Sequence, residues 1–245
     1  MTDRCVATPV FVNCRDRVTS LSALVSWLER AGHVHIVLVD NASTYPPLLE
    51  YYAQTPHKVV KLGRNLGPGA IWKADLLESV PSRSGYVLTD SDVVPDENAP
   101  YDAVDRFADL LNRHQDVDKV GFGLRIDDLP DCYRFKREVV DWELQFWEDE
   151  VERGVFRADL DTTFALYRPQ IRTSTLSALR TGSPYVARHV PWYMDSASPS
   201  EEEAYYRQHA SLEMTNWNGE SLPSELSDAI EYHRSKRSDV SRRPS

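Results

Sequence analysis

The chain is 245 residues long, 41% hydrophobic and 27% charged, enough apolar material for one large core under an ordinary polar surface. Its formal net charge of -10 excludes a broad, sequence-independent grip on nucleic acid. No apolar run approaches the roughly 20 residues that cross a bilayer, so stable membrane insertion is not expected. The opening Met1-Thr2-Asp3-Arg4-Cys5 has no apolar core of a secretory signal. Cys5, Cys14 and Cys132 are odd in number and lack metal-ligand spacing, which reads as reduced thiols in a cytoplasmic protein.

In chain order, Val6 to Val12 is β-rich and ends in Asn13-Cys14-Arg15-Asp16-Arg17. A helix follows with Leu21, Leu24, Val25 and Leu28 on one face and Gly32 as its stop. His35 to Val39 is a strand ending at Asp40-Asn41-Ala42-Ser43-Thr44, and Pro46 to Gln54 is helical. Val59 to Leu62 is a third strand, ending in Gly63-Arg64-Asn65-Leu66-Gly67-Pro68-Gly69, with a helix over Ala70 to Leu77. Tyr86 to Thr89 is a fourth strand ending in Asp90-Ser91-Asp92; a helix over Asp102 to Arg113 and a strand near Val120 to Leu124 complete the half. Strands alternating with helices imply a parallel sheet covered on both faces.

Such sheets bind ligands beyond the carboxyl ends of their strands. Asn13, Asp40, Asn65 and Asp90 fall there, spaced 27, 25 and 25 residues apart, so they line one rim. Asp90-Ser91-Asp92 follows an apolar strand onto that rim, which suits two carboxylates near a divalent ion and phosphates. Asp116-Val117-Asp118 precedes a strand and reads as solvated surface at the opposite rim. A turn Asp with a helix cap is the plainer account of the first pair.

Val37-Leu38-Val39-Asp40-Asn41-Ala42-Ser43-Thr44, Asn65-Leu66-Gly67-Pro68-Gly69-Ala70 and Thr89-Asp90-Ser91-Asp92 together resemble family 2 glycosyltransferases of the GT-A fold. The resemblance covers roughly residues 6 to 130 and resumes near Asp161. It implies an α/β, Rossmann-like mixed sheet, mostly parallel with one antiparallel strand, flanked by helices. Residues 1–217 would form one GT-A domain, with a nucleotide-sugar-binding half (1–125) and an acceptor-binding half (126–217). A C-terminal helix and a disordered basic tail would occupy 218–245. The resemblance further implies that Asp40 meets the nucleobase, that Asn13 and Arg15 lie in the first nucleotide loop, that Asp90 with Ser91 lies near the ribose, and that Asp92 holds Mn²⁺ or Mg²⁺. Asn65 and Gly67 join the nucleotide-sugar site. A divalent ion of this kind neutralises the departing diphosphate.

The second half supplies the acceptor side. Asp159-Leu160-Asp161-Thr162-Thr163-Phe164 enters a strand that runs antiparallel in GT-A folds, which returns Asp161 to the rim as candidate general base; Asp159 competes for that role. Arg180 to Tyr193 reads as a Gly- and Pro-punctuated loop rich in aromatics and cations. His189 in it is a candidate metal ligand, while Arg180 and Arg188 are candidate diphosphate ligands. Trp192 is a candidate acceptor platform, as is Trp142 on an amphipathic helix expected over Phe135 to Val151. Glu201-Glu202-Glu203 reads as a solvated helix start, Leu222, Leu226 and Ile230 as a docking stripe, and Ser235 to Ser245 as disordered.

The expected activity is transfer of one sugar from a nucleoside-diphosphate sugar, UDP-linked by preference, with inversion. The acceptor (a glycan, a small molecule, a protein or a modified nucleic acid base) is not legible. A nucleotidyltransferase would carry a Gly-rich basic loop after the first strand, and a dinucleotide-binding dehydrogenase would need Gly-x-Gly-x-x-Gly; neither is present. A non-catalytic nucleotide- or glycan-binding module of the same fold, or a nucleotidyltransferase, is the alternative.

Overall fold

The computed structural model describes residues 7–210, 217 and 219–241. Its first half follows the alternation of the sequence: β1 (Val10–Cys14), α1 (Thr19–Arg30), β2 (Ile36–Asp40), α2 (Pro46–Gln54), β3 (Lys58–Lys61), α3 (Ala70–Lys73), β4 (Tyr86–Asp90), β5 (Val93–Pro95), α4 (Ala103–Arg113) and β6 (Lys119–Leu124). The second half adds α5 (Lys136–Glu143), β7 (Glu150–Glu152), β8 (Val155–Arg157), β9 (Ala165–Tyr167), β10 (Ala178–His189), α6 (Glu201–His209) and α7 (Ser224–Ser241).

These strands form one ten-stranded sheet in the order β3-β2-β1-β4-β9-β6-β10-β8-β7, with β5 paired to β10. Strands β1 to β4 and β6 run with the first part of β10, and β9 lies antiparallel between β4 and β6. The sheet is therefore the expected mixed α/β sheet, mostly parallel and flanked by helices. Besides β9, β5 and β8 also run against the majority, each antiparallel to β10.

Both faces are buried. Val87 of β4 packs into a cluster with Leu21, Leu24, Val25 and Leu28 of α1 and with Val104, Phe107 and Leu110 of α4. Its neighbours Tyr86 and Leu88 point the other way, into a cluster with Phe11, Ala70, Ile71, Ala165 and Tyr167. Each fully buried aliphatic side chain contributes roughly 1.5–3 kcal/mol, so the helical stripe read from the sequence is what fixes α1 to the sheet. Phe107, Phe122 and Phe164 lock α4, β6 and the chain entering β9 together, with ring centroids 5.0 Å apart for Phe107–Phe122 and for Phe122–Phe164.

Four expectations are corrected. The helix over Phe135 to Val151 stops at Glu143, followed by a 3₁₀ turn over Leu144–Trp147; β7 then pairs with β8 through a turn in which Gly154 takes the left-handed φ of +69°. The stretch beginning at Arg180 is strand as far as His189, because β6, β8 and β5 all hydrogen-bond to it. The third helix breaks after Lys73, where Asp75 turns left-handed at φ +52°. Finally, α7 continues through Ser235 to Ser241, where disorder was expected. Residues 242–245 lie outside the described residues, as do residues 1–6 with Cys5. Cys14 is buried and Cys132 exposed, both as free thiols.

Candidate functional site

The parallel strands deliver their ends to one rim, and a cleft opens there in two chambers. The polar chamber, about 330 Å³, is lined by Asn13, Arg15, Arg17, Asn65, Asp92 and Tyr206, among others. The aromatic chamber, about 380 Å³, is lined by Trp142, Phe146, Trp192 and Leu176, with Asp159 and Arg180. Asp90, Asp161, His189 and Trp217 line both chambers and so mark the passage between them.

The acidic centre is built by three strands. Asn13 pairs in register with Asp90 across β1 and β4, and its Nδ2 donates to Asp90 Oδ1 at 3.0 Å. Thr162, on the approach to β9, donates its hydroxyl to Asp90 Oδ2 at 2.6 Å. Burial and the neighbouring Asp92 push the Asp90 carboxyl up to about 7, against the pull of the Thr162 and Asn13 bonds. Asp161 behaves in the opposite way. The protein packed around it favours the neutral acid, but the Thr163 hydroxyl at 2.7 Å and amide at 3.0 Å, with the charges of Arg180 and Lys119, hold it below its ordinary value. Asp161 is exposed at the cleft surface, ionised and accessible. A pair of neighbouring carboxyls driven apart in this way is a frequent mark of acid–base sites.

Lys119 supports Asp161 from below. Its side chain is fully buried and its ammonium donates to the Asp161 carbonyl at 2.7 Å, the Thr175 carbonyl at 2.6 Å and the Tyr167 hydroxyl at 2.9 Å. Burial lowers the Lys119 ammonium to about 8. Gly121 allows this loop its close approach: a Cβ there would collide with the Phe164 carbonyl and lie 2.7 Å from Leu160 Cδ2.

The other wall is held by side chains binding backbone. Arg15 donates to the carbonyls of Asn41 at 2.8 Å and His209 at 3.0 Å. Asn41 accepts from the Leu66 amide at 2.6 Å and donates to the Gly67 carbonyl at 3.0 Å, tying the loop after β3 to the end of β2. Gly67 takes the left-handed φ of +74° that this turn needs, and its amide is met by the Asn65 side chain at 2.9 Å. Ser91 is buried beside them in the lining.

Asp92 carries a cation of the protein's own. Arg17 Nη1 lies 2.6 Å from Asp92 Oδ2, and Arg17 Nη2 lies 2.9 Å from Glu203 Oε2. The guanidinium also stacks 3.5 Å above the Tyr206 ring. Both Glu203 and Glu202, expected to be solvated, are buried: Glu202 accepts from the amides of Val18 and Thr19 at the start of α1, the latter at 3.0 Å. These two acids dock α6 onto the first loop, and that long-range pairing is why they leave solvent.

His189 Nε2 lies 3.7 Å from the same Asp92 oxygen. Burial lowers the imidazole, with Asp92 raising it and Arg17 lowering it, so the ring is neutral and able to ligate. A carboxylate oxygen and a neutral imidazole nitrogen 3.7 Å apart are donors of the kinds that divalent ions accept, with phosphate oxygens left to complete the shell. Among the described residues, no group of three His, Cys, Asp or Glu side chains converges to hold a metal by itself. The residues thus fit an ion shared with a phosphate ligand.

Three expected contacts are corrected. Asp40 does not reach the cleft: it is buried, accepting from the Ser43 amide at 3.0 Å and facing the Tyr52 hydroxyl at 3.4 Å, while Asn41 takes the lining position. Arg180 is bonded to the buried Glu143 at 2.8 Å and stacks on Phe146, so it floors the aromatic chamber and stands outside the polar lining. Arg188, one residue from His189 on an extended strand, points to the opposite face and pairs with Asp96 at 2.9 Å and Asp128 at 2.6 Å. Arg17, Thr162, Lys119 and Trp217 were not singled out by the sequence. Of these only Arg17 carried a local signal, as a second cation in the loop after β1.

No protein-family model matches this sequence, and no curated protein matches it. Among solved structures, HddC from Yersinia pseudotuberculosis, complexed with GMP-PN, is 17% identical over 50% of this chain and 60% of that one, with a TM-score of 0.34. A mycobacterial protein is 16% identical over 66% of this chain and 53% of that one, with a TM-score of 0.42. A 4-diphosphocytidyl-2C-methyl-D-erythritol synthase is 12% identical over 91% of this chain and 97% of that one, with a TM-score of 0.34. The chain spans about three fifths and about half of the first two. No helix among the described residues is long and apolar enough to cross a membrane.

Proposed function

We propose that this protein is a transferase that takes a sugar from a nucleoside-diphosphate sugar and passes it to an acceptor hydroxyl in the manner of a family 2 glycosyltransferase. The observation that carries the reading is the divided cleft: a polar chamber and an aromatic chamber meet at Asp90, Asp161 and His189. The polar chamber suits the nucleotide, with Asn13, Arg15, Asn41 and Asn65 as its hydrogen-bonding wall. The aromatic chamber suits rings bearing hydroxyls, with the half-buried Trp142 offering an indole face, whereas Trp192, expected as a second platform, is buried in the core.

Asp161 is the general base, because it is the ionised, exposed carboxylate at the passage. It takes the proton of the acceptor hydroxyl as that oxygen attacks the anomeric carbon, and the nucleoside diphosphate leaves on the opposite side. Asp159 lines only the aromatic chamber and is the weaker candidate. Asp92 and His189 would hold Mn²⁺ or Mg²⁺. When bound, such an ion neutralises the charge that gathers on the leaving diphosphate.

Thermal melting against UDP, GDP and dTDP, with and without Mn²⁺, tests the donor half of this reading. A ligand at ~100 times its dissociation constant adds about 2.7 kcal/mol to stability, a readable shift. A shift with one nucleotide that survives Asp161→Asn supports the assignment. No shift with any of them refutes it.

A further inference from the structure

Arg17 occupies the carboxylate on which the proposed metal site depends. Asp92 Oδ2 is the oxygen nearest His189 Nε2, at 3.7 Å, and it is also the oxygen that accepts Arg17 Nη1 at 2.6 Å. One carboxylate oxygen cannot serve a guanidinium and a divalent ion together without setting two cations a few ångströms apart, in a site where Arg17 is only 3% exposed and screening by water is weak. Arg17 is also held from behind. Glu203 takes its Nε at 3.3 Å and its Nη2 at 2.9 Å, and the Tyr206 ring covers one face. Both partners come from α6, far along the chain from the loop they fasten.

We propose that Arg17 is a resident counter-cation that competes with the divalent ion for Asp92. The ion enters only when Arg17 gives up Oδ2, so the nucleotide-free protein binds divalent metal weakly. Phosphate oxygens brought by the nucleotide offset the exchange, being further ligands for the ion and an alternative partner for the displaced guanidinium. Metal and nucleotide then bind with mutual reinforcement, each raising the other's affinity by the same factor. This rests on the reading of Asp92 and His189 as the metal pair.

The test is the affinity of the full chain for Mn²⁺ alone, by electron paramagnetic resonance of the free ion, without nucleotide. Arg17→Met retains the length and apolar stem but lacks the charge, and is expected to bind Mn²⁺ at least ten-fold more tightly than the wild type. Glu203→Gln frees Arg17 to give its whole charge to Asp92, and is expected to weaken Mn²⁺ binding further; it also serves if Arg17→Met fails to fold. Equal or weaker affinity in Arg17→Met, tighter binding in Glu203→Gln, or no Mn²⁺ binding by any variant would overturn the proposal. The nucleotide melts without metal are read separately, so a failure here leaves the donor-site reading standing, and loss of nucleotide binding would remove that reading instead.

Discussion

Replacing Lys119 by Met tests whether the loop bearing Asp161 is anchored from the core. The substitution keeps the linear side chain and removes an ammonium that is fully buried with three oxygen partners at 2.6–2.9 Å. Each buried acceptor left without its donor costs about 1–3 kcal/mol. Against this, the wild type carries a charge that burial disfavours: a lysine lowered from 10.5 to about 8 spends about 3 kcal/mol at neutral pH, at about 1.4 kcal/mol per unit. Three such acceptors cost about 3–9 kcal/mol against about 3 kcal/mol recovered, which leaves Lys119→Met less stable by up to about 6 kcal/mol at pH 7. The pH dependence separates them. Below pH 8 both folded and unfolded Lys119 are protonated, so the gap between wild type and variant is flat. From pH 8 towards 10.5 the folded protein has released a proton that the unfolded chain retains, so wild-type stability rises relative to the variant. The gap should therefore widen by about 2 kcal/mol at pH 9.5. Urea unfolding at pH 7 and 9.5 reads both numbers. A stabilising substitution at pH 7, or a gap indifferent to pH, would refute the argument.

Two further outcomes follow from the site. Gly121→Ala puts a methyl against the Phe164 carbonyl and 2.8 Å from the Ala165 Cβ; the variant should lose about 1–3 kcal/mol in urea unfolding, since backbone must move to admit it. Asp161→Asn should lower turnover by about 10²–10⁴-fold with nucleotide affinity unchanged, as measured by steady-state kinetics beside calorimetric binding.

The rim at the end of β4 was legible because its signals are local. An apolar run that ends in Asp90-Ser91-Asp92 states both where the strand stops and which edge receives the carboxylates, and β4 ends at Asp90 as that pattern requires. The strand entering from Asp161 was placed on the rim by its antiparallel sense, and β9 runs that way. What the sequence hid is decided by partners far along the chain. Gly182, Ser183 and Pro184 argue for a loop, yet β10 is held as a strand from both sides, with a shift of register between Thr181 and Val186 that absorbs those residues. Three consecutive glutamates argue for solvent, yet Glu203 is drawn inside by Arg17, 186 residues away. Asp40 sits at the right strand end but turns inward, because the amide of Ser43 and the hydroxyl of Tyr52 claim its carboxylate first.

The central claim, transfer from a nucleoside-diphosphate sugar through Asp161, is tested most directly by following phosphorus. Wild-type protein with Mn²⁺ is incubated with UDP-, GDP- and dTDP-sugars, and separately with nucleoside triphosphates plus sugar phosphates, under ³¹P magnetic resonance. The account predicts slow release of one free nucleoside diphosphate, with water standing in for the acceptor, and loss of that release in Asp161→Asn. Pyrophosphate appearing from the triphosphate mixture would contradict it, and would make the cleft that of a nucleotidyltransferase.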